Sequence, residues 1–243
     1  MMKIFDNFGS KKEEKIIWWS MIEGLEDVVP VQVSSHHLPD WWIKKTDNVD
    51  NKGTIKMCPA IPEFMSMGFV VSLWCDLKVE INEDGSFRWD TPSNEFTFLT
   101  HSEEQLSVHL PKHARPTLVL KPVCPWRVKT PSGISMLQLP MFWHFNPNFS
   151  VASGVIWTDI HHEINQQMLF HKTGTFNFKR GTPLAQYIPI RRENIPHEVS
   201  PLTPELIRDA QASSYHVKTK FSGGYTKHRK DEIKKKQCPI GKW

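Results

Sequence analysis

Ile160-His-His-Glu163, preceded by Asp159, is the densest run of titratable side chains in the sequence. In a strand, successive side chains alternate faces, so His161 and Glu163 fall on one face and His162 on the other. A histidine and a carboxylate on one edge suit Zn, Fe or Mn, which makes His161 and Glu163 the candidate metal pair. A further ligand has to converge from elsewhere. His144 and His171 are available, and no spacing selects either. A structural or surface role for the run is the simpler reading. His36 and His37 are adjacent and would point to opposite faces, which argues against a shared ion.

The four cysteines stand at 58, 75, 124 and 238 with no CxxC pair, so a zinc knuckle and a thioredoxin-type motif are excluded. Reduced thiols are the default. Gly-x-Ser-x-Gly, P-loop and dinucleotide fingerprints are missing, and the sequence names no cofactor. The aromatic set Trp126, Phe142, Trp143, Phe145 and Trp157 could stack bases or sugars. A core or a subunit interface accounts for that set more simply.

The elements that would position these groups read as strands. Ten Trp, 18 Pro and 12 Gly in 243 residues favour turns and strands over long helices. The first 30 residues are locally amphipathic and predict a short helix or strand. Val28 to Val33 brackets Pro30 and predicts an edge strand. Trp41 and Trp42, after Pro39, are expected to anchor an N-terminal arm on the body. Ala60 to Met67 reads as a short helix closed by Gly68. Phe69 to Cys75 reads as a buried strand, and Asp76 to Asn82 as an alternating one with Leu77, Val79 and Ile81 inward. Asp84-Gly85 is a hairpin signal, with Ser86 to Trp89 returning. Ser102-Glu-Glu-Gln105 is a capping box that predicts a helical turn.

Thr117 to Lys121 and Ile134 to Leu139 are further strands, with a Thr130-Pro-Ser-Gly133 turn before the second. Strand signals then recur at Val151 to Trp157, Ile164 to His171, Thr175 to Lys179 and Leu184 to Ile190, the rhythm of a sandwich or barrel. Thr203 followed by Pro204 caps a helix expected to reach about Ser213.

The net charge of +4 is unevenly spread. Residues 215 to 243 hold nine Lys or Arg against two acids, and the remainder carries a net −3. The basic tail, with Lys227, Arg229, Lys230, Lys234, Lys235 and Lys236, could touch nucleic acid or an acidic partner. A solvated terminal segment is the plainer reading. Met-Met-Lys-Ile-Phe-Asp lacks the apolar core of a secretory leader, and no apolar run approaches the ~20 residues of a membrane span.

Several motifs occur in a set order. They are Pro39-Asp-Trp-Trp42, Cys58-Pro59, Pro125-Trp126 with Lys129-Thr-Pro-Ser-Gly133, Gly154-Val-Ile156 with Thr158-Asp159, and Gly181-Thr-Pro183 with Gln186 and Pro189. Together they resemble a family of uncharacterised proteins found mainly in tailed phages and bacterial genomes. The resemblance covers roughly residues 28 to 230 and implies a phage provenance without an activity. Gly154-Val-Ile-Trp-Thr-Asp-Ile160 and Gly181-Thr-Pro-Leu-Ala-Gln186, whose glycines lie 27 positions apart, are also similar to the closing half of the dUTPase and dCTP-deaminase jelly roll. In that family a glutamine matching Gln186 supports the β core and the active-site turn, and the scaffold implies a homotrimer.

The departures from that pattern bear on chemistry. Trp157 stands where the pattern has an acidic group near the deoxyribose, and Asp159 follows two residues later. The Arg-Ser-Ser phosphate element is missing, since Gly133 is followed by Ile134-Ser-Met-Leu-Gln138. The nearest thing to a glycine-rich lid is Ser222-Gly-Gly-Tyr-Thr226. Donors for three phosphates and a base to orient water are not evident.

The expectation is therefore a mostly β protein, a jelly roll or distorted dUTPase-like barrel. Residues 1–65 form an N-terminal arm, 66–192 the core, and 193–243 a helix and basic tail. The expected function is that of a non-catalytic phage protein, in the virion or in the cytoplasm of the infected host, binding a host or viral macromolecule as a homo-oligomer. The alternative is a nucleotide-binding protein or metal-dependent hydrolase using the Gly154–Asp159 turn, with Asp159, Gln186, Trp157 and Trp126 as ligand-binding residues.

Overall fold

The structure is a computed structural model. It describes residues 15–50, 52–100, 110–111, 115–218, 227, 230–231 and 234. The capping box at Ser102 to Gln105 and the Ser222 to Thr226 loop lie outside the described residues.

The strands in chain order are β1 (Ile17–Ser20), β2 (Gln32–Val33), β3 (Asn48–Val49), β4 (Lys52–Gly53), β5 (Phe69–Ser72), β6 (Leu77–Ile81), β7 (Phe87–Asp90) and β8 (Phe98–Thr100). They continue with β9 (Leu118–Pro122), β10 (Trp126–Lys129), β11 (Ile134–Pro140), β12 (Phe149–Val151), β13 (Gly154–Ile156), β14 (Met168–Phe170), β15 (Gly174–Phe178) and β16 (Pro183–Arg191). Short helical pieces cover Leu25–Val28, Asp40–Lys44 and Ala60–Ser66, and the longest helix among the described residues is Pro204–Lys218. The fold is thus mostly β with a short C-terminal helix.

The backbone divides into two compact units. The first, residues 1–43 and 65–193, holds most of the sheet structure. Its largest sheet runs β13-β11-β16-β5-β2, a second runs β12-β14-β9-β8, a third β15-β6-β7, and β1 pairs with β10. Every pairing is antiparallel. These sheets share one core: Val71 of β5, Leu120 of β9, Met136 of β11, Met168 of β14 and Tyr187 of β16 belong to a single buried cluster. Antiparallel sheets packed on a common interior give the mostly β architecture that the strand rhythm predicts. The second unit, residues 44–64 and 194–243, contains the β3–β4 hairpin and the C-terminal helix. No helix among the described residues is long and apolar enough to cross a membrane.

Local chemistry explains most elements. In β6, Leu77, Val79 and Ile81 are buried, as the alternation requires. Gly85 takes φ 81 at the hairpin beyond it. Thr203 Oγ1 accepts the Leu206 amide at 3.2 Å and caps the C-terminal helix, which runs past Ser213 to Lys218. Trp42 is buried, and the Trp41 indole N–H donates to the Trp143 carbonyl at 2.7 Å, fastening the Asp40–Lys44 turn to the sheet unit.

Four expected strands differ. Val28 to Val33 shrinks to β2, Gln32–Val33, on the edge of the largest sheet, because Val28 ends the preceding helix. Phe69 to Cys75 stops at Ser72, where Leu73 turns to give its amide to Thr182. Val151 to Trp157 is two strands: β12 ends at Val151, Ala152-Ser153 intervene, and β13 joins a different sheet. Ile164 to His171 shrinks to Met168–Phe170.

Candidate functional site

β11 and β16 form the longest ladder of the sheet unit, with Ile134 opposite Arg191 and Pro140 opposite Ala185. At its Ile134 end three loops meet. The Thr130-Pro-Ser-Gly133 turn is closed by Thr130 Oγ1, which donates to the Ile134 carbonyl at 2.7 Å and lies 2.8 Å from Thr158 Oγ1. Trp157 to His161 is a second turn, in which the Ile160 and His161 amides both donate to the Trp157 carbonyl. Arg192 leaves β16 with its amide bonded to the Gly133 carbonyl at 2.9 Å.

This geometry delivers Asp159 to Arg192. The guanidinium donates Nη1 to Oδ1 at 2.7 Å and Nη2 to Oδ2 at 2.5 Å, a fork-to-fork pair. The Gly133 amide adds a third bond to Oδ2 at 3.0 Å, and Nη1 also reaches Ser135 Oγ at 2.7 Å. The Arg192 bond, with help from Gly133, holds the Asp159 carboxyl down at about 2. The same pairing raises the Arg192 guanidinium above its ordinary value. Trp157 covers the arginine, its ring centroid 4.3 Å from Cζ, while remaining 53% exposed on its outer side.

The other sequence candidates lie elsewhere. Gln186 is buried and donates Nε2 to the Met67 carbonyl at 2.7 Å. It stands six residues up β16 from Arg192, about 20 Å at strand rise, so it shares no pocket with Asp159. Trp126 is 2% exposed in β10, a core residue.

The His161–Glu163 run is not a strand, so the alternation that would put both side chains on one face does not apply. Glu163 pairs with Arg127 at 3.2 Å. His162 donates Nδ1 to the Thr158 carbonyl at 3.0 Å, and Trp19 meets its ring edge-on. His144 and His171 bond to the His37 carbonyl and to Ser150 Oγ. No group of three metal-ligating side chains occurs among the described residues. Cys124 is buried, which pushes its thiol up to about 12 and leaves it a poor nucleophile. Lys227, Lys230 and Lys234 of the tail are helical and exposed, at a spacing that shares one helix face. Arg229, Lys235 and Lys236 lie outside the described residues.

A second cluster forms at the other end of β11. After Pro140 the chain makes a tight turn over Phe142–His144, and Phe145 follows with φ 49 and ψ 42. Trp41 packs 6.3 Å from Trp143 and 5.7 Å from Phe145, and Phe142 meets Trp143 edge-on at 5.4 Å. Trp41 and Trp143 are partly buried, whereas Phe142 and Phe145 are 60% and 59% exposed. Sequence reasoning singled out these aromatic residues without separating the exposed pair from buried Trp126. The signal available was Pro140 ending a strand just before three aromatic residues within the next five.

No family model matches the chain, and no curated protein matches it. Among solved structures it is similar to a native EIAV dUTPase, at 10% identity and a TM-score of 0.29, over 50% of this chain and 90% of that one. That likeness is too distant to carry an activity, and the mostly β fold rests on the sheets described above.

Proposed function

We propose that this chain is a non-catalytic phage protein that binds a host or viral macromolecule, in the virion or in the cytoplasm of the infected cell. The phage attribution rests on the ordered motifs from Pro39 to Pro189. The observation that carries the binding reading is the state of Asp159. A carboxylate held near 2, with both oxygens engaged and its arginine partner under a tryptophan, is a poor general base at neutral pH. The Trp157 ring lying over Arg192 covers one side of that pair, which supports the binding reading over the enzyme reading. Self-association is part of the proposal. Val155 on edge strand β13, and Trp157 and Ile160 in the turn that follows, are exposed apolar groups that a second copy would cover. The basic helix face of Lys227, Lys230 and Lys234 is a secondary contact for nucleic acid.

A thermal-shift panel tests the reading. The full chain is heated with deoxynucleoside triphosphates, divalent metals and short DNA duplexes. No nucleotide or metal is expected to raise the melting temperature. Any DNA shift is expected to vanish on truncation at Tyr215. Saturation near 100 times Kd contributes about 2.7 kcal/mol, which such an assay resolves. A nucleotide or metal shift that disappears in Asp159→Ala overturns the proposal in favour of an enzyme.

A further inference from the structure

Phe145 occupies the left-handed backbone region, which a bulky side chain adopts only at a cost in free energy. Among the described residues Asp50 is the other non-glycine at positive φ, and aspartate tolerates that region far better than phenylalanine. Burial does not offset the cost at Phe145. Its ring is displayed to solvent, as is that of Phe142. Strain and exposed apolar surface at one turn are two penalties with a common outcome, a pair of aromatic faces held outward on a rigid base of Trp41 and Trp143.

Beside these rings lies a half-open cavity of about 150 Å³. A half-open cavity of that volume takes one face of a six-membered ring and leaves its rim at the mouth. Its walls include Phe142, Phe145 and Leu184, with His144, Asn146 and Ser150 as the polar groups, and no Asp, Glu, Lys or Arg lines it. The polar groups are hydrogen-bonding partners. His144 Nε2 donates to the His37 carbonyl at 2.8 Å, which leaves Nδ1 as the ring's other polar atom. Asn146 Oδ1 accepts the Asn148 amide at 2.9 Å, so its NH₂ group supplies donors. The Ser150 hydroxyl, 3.0 Å from His171 Nε2, can serve either way.

Each property narrows the ligand. A phosphate or carboxylate would find no lysine or arginine in the lining. A plain hydrocarbon would leave donors and acceptors unpaired. A pyranose satisfies both conditions: its C–H face packs on an aromatic ring, and its rim of hydroxyls donates and accepts. We propose that the Phe142–Phe145 turn and its cavity form a binding site for a neutral glycan, one sugar ring seated in the cavity and its neighbour on the exposed phenylalanines. The proposal builds on the binding-protein reading and gives it a ligand class.

The test is isothermal titration of the full chain with maltohexaose, cellohexaose, chitohexaose and xylohexaose, alongside glucose and N-acetylglucosamine. At least one hexasaccharide is expected to bind. Binding confined to the hexasaccharides assigns a glycan chain, and equal binding of a monosaccharide assigns a free sugar at the same site. Phe142→Ala is expected to weaken binding at least tenfold. Phe145→Asn is the decisive variant, because asparagine accepts the left-handed backbone. It should weaken binding at least tenfold while the melting temperature holds or rises, whereas a purely structural phenylalanine would lower it.

Failure of every saccharide to bind, or binding that survives both substitutions, overturns the proposal. So does capture of single-stranded oligothymidine or a proline-rich peptide in place of sugar. Those outcomes leave the macromolecule-binding reading intact, since that reading falls on an Asp159-dependent nucleotide or metal shift instead.

Discussion

At neutral pH the Asp159 carboxylate is ionised in the folded and the unfolded chain alike, so the contribution of its bond to Arg192 varies with pH only in acid. The unfolded carboxyl titrates near ~3.9 and the folded one at about 2. A depressed folded value means stability that is fully present above about pH 4 and is lost as pH falls toward 2. Wild type should therefore exceed Asp159→Asn in urea unfolding near neutrality, with the gap closing as the titration moves down toward pH 2. Using the difference cancels the other carboxyls that are held low, Asp76, Glu80 and Asp84. A gap that stays constant across that range would show that the pair adds nothing through its charge. At this scale the sequence was half legible. Asp159 and Trp157 stood out by type and position. Arg192, 33 residues from Asp159, did not, because their meeting depends on the β11–β16 register and on two turns that no local pattern encodes.

Alternation and turn residues made most of the elements readable. The β6–β7 hairpin, β9, β11, β15 and β16 fall where apolar periodicity places them. The errors came where the period was weak. Ala152 and Ser153 are too small to mark a face, so two strands read as one. Ile160 to Glu163 mimicked alternation while its backbone was committed to a turn on the Trp157 carbonyl. Gly68, read as the end of a helix, does more than end it. It sits at φ 71, its carbonyl accepts the Ser34 amide, and a Cβ added there would come 2.0 Å from the Tyr187 carbonyl oxygen. Gly68→Ala thus meets backbone strain and a backbone clash together. We expect it to cost about 3 kcal/mol or more in chemical denaturation. Gly24 also has a positive φ, 73, but nothing within 4 Å of a Cβ, so Gly24→Ala should cost only about 1 kcal/mol. Equal losses at the two sites would refute the clash at Gly68.

The whole molecule was legible in class and illegible in connection. Proline, glycine and tryptophan content with recurrent short strands pointed to a β fold, but which strand joins which sheet is decided by long-range packing on the shared core. One such decision carries further than topology. Between β12, in the sheet that ends at β8, and β13, on the edge of the sheet that ends at β2, the chain has only Ala152 and Ser153. From Val151 to Gly154 it can span at most ~11 Å. This tether is too short to let one sheet swing away while its neighbour stays closed, so the two should open in a single event. Native-state hydrogen exchange should then give Leu120 and Met168 the same opening free energy as Met136 and Tyr187, and early release of the first pair would mean that the sheets come apart independently. Joint opening would deny a hinge to the interior of the sheet unit, so that whatever it binds meets a surface already in its final shape.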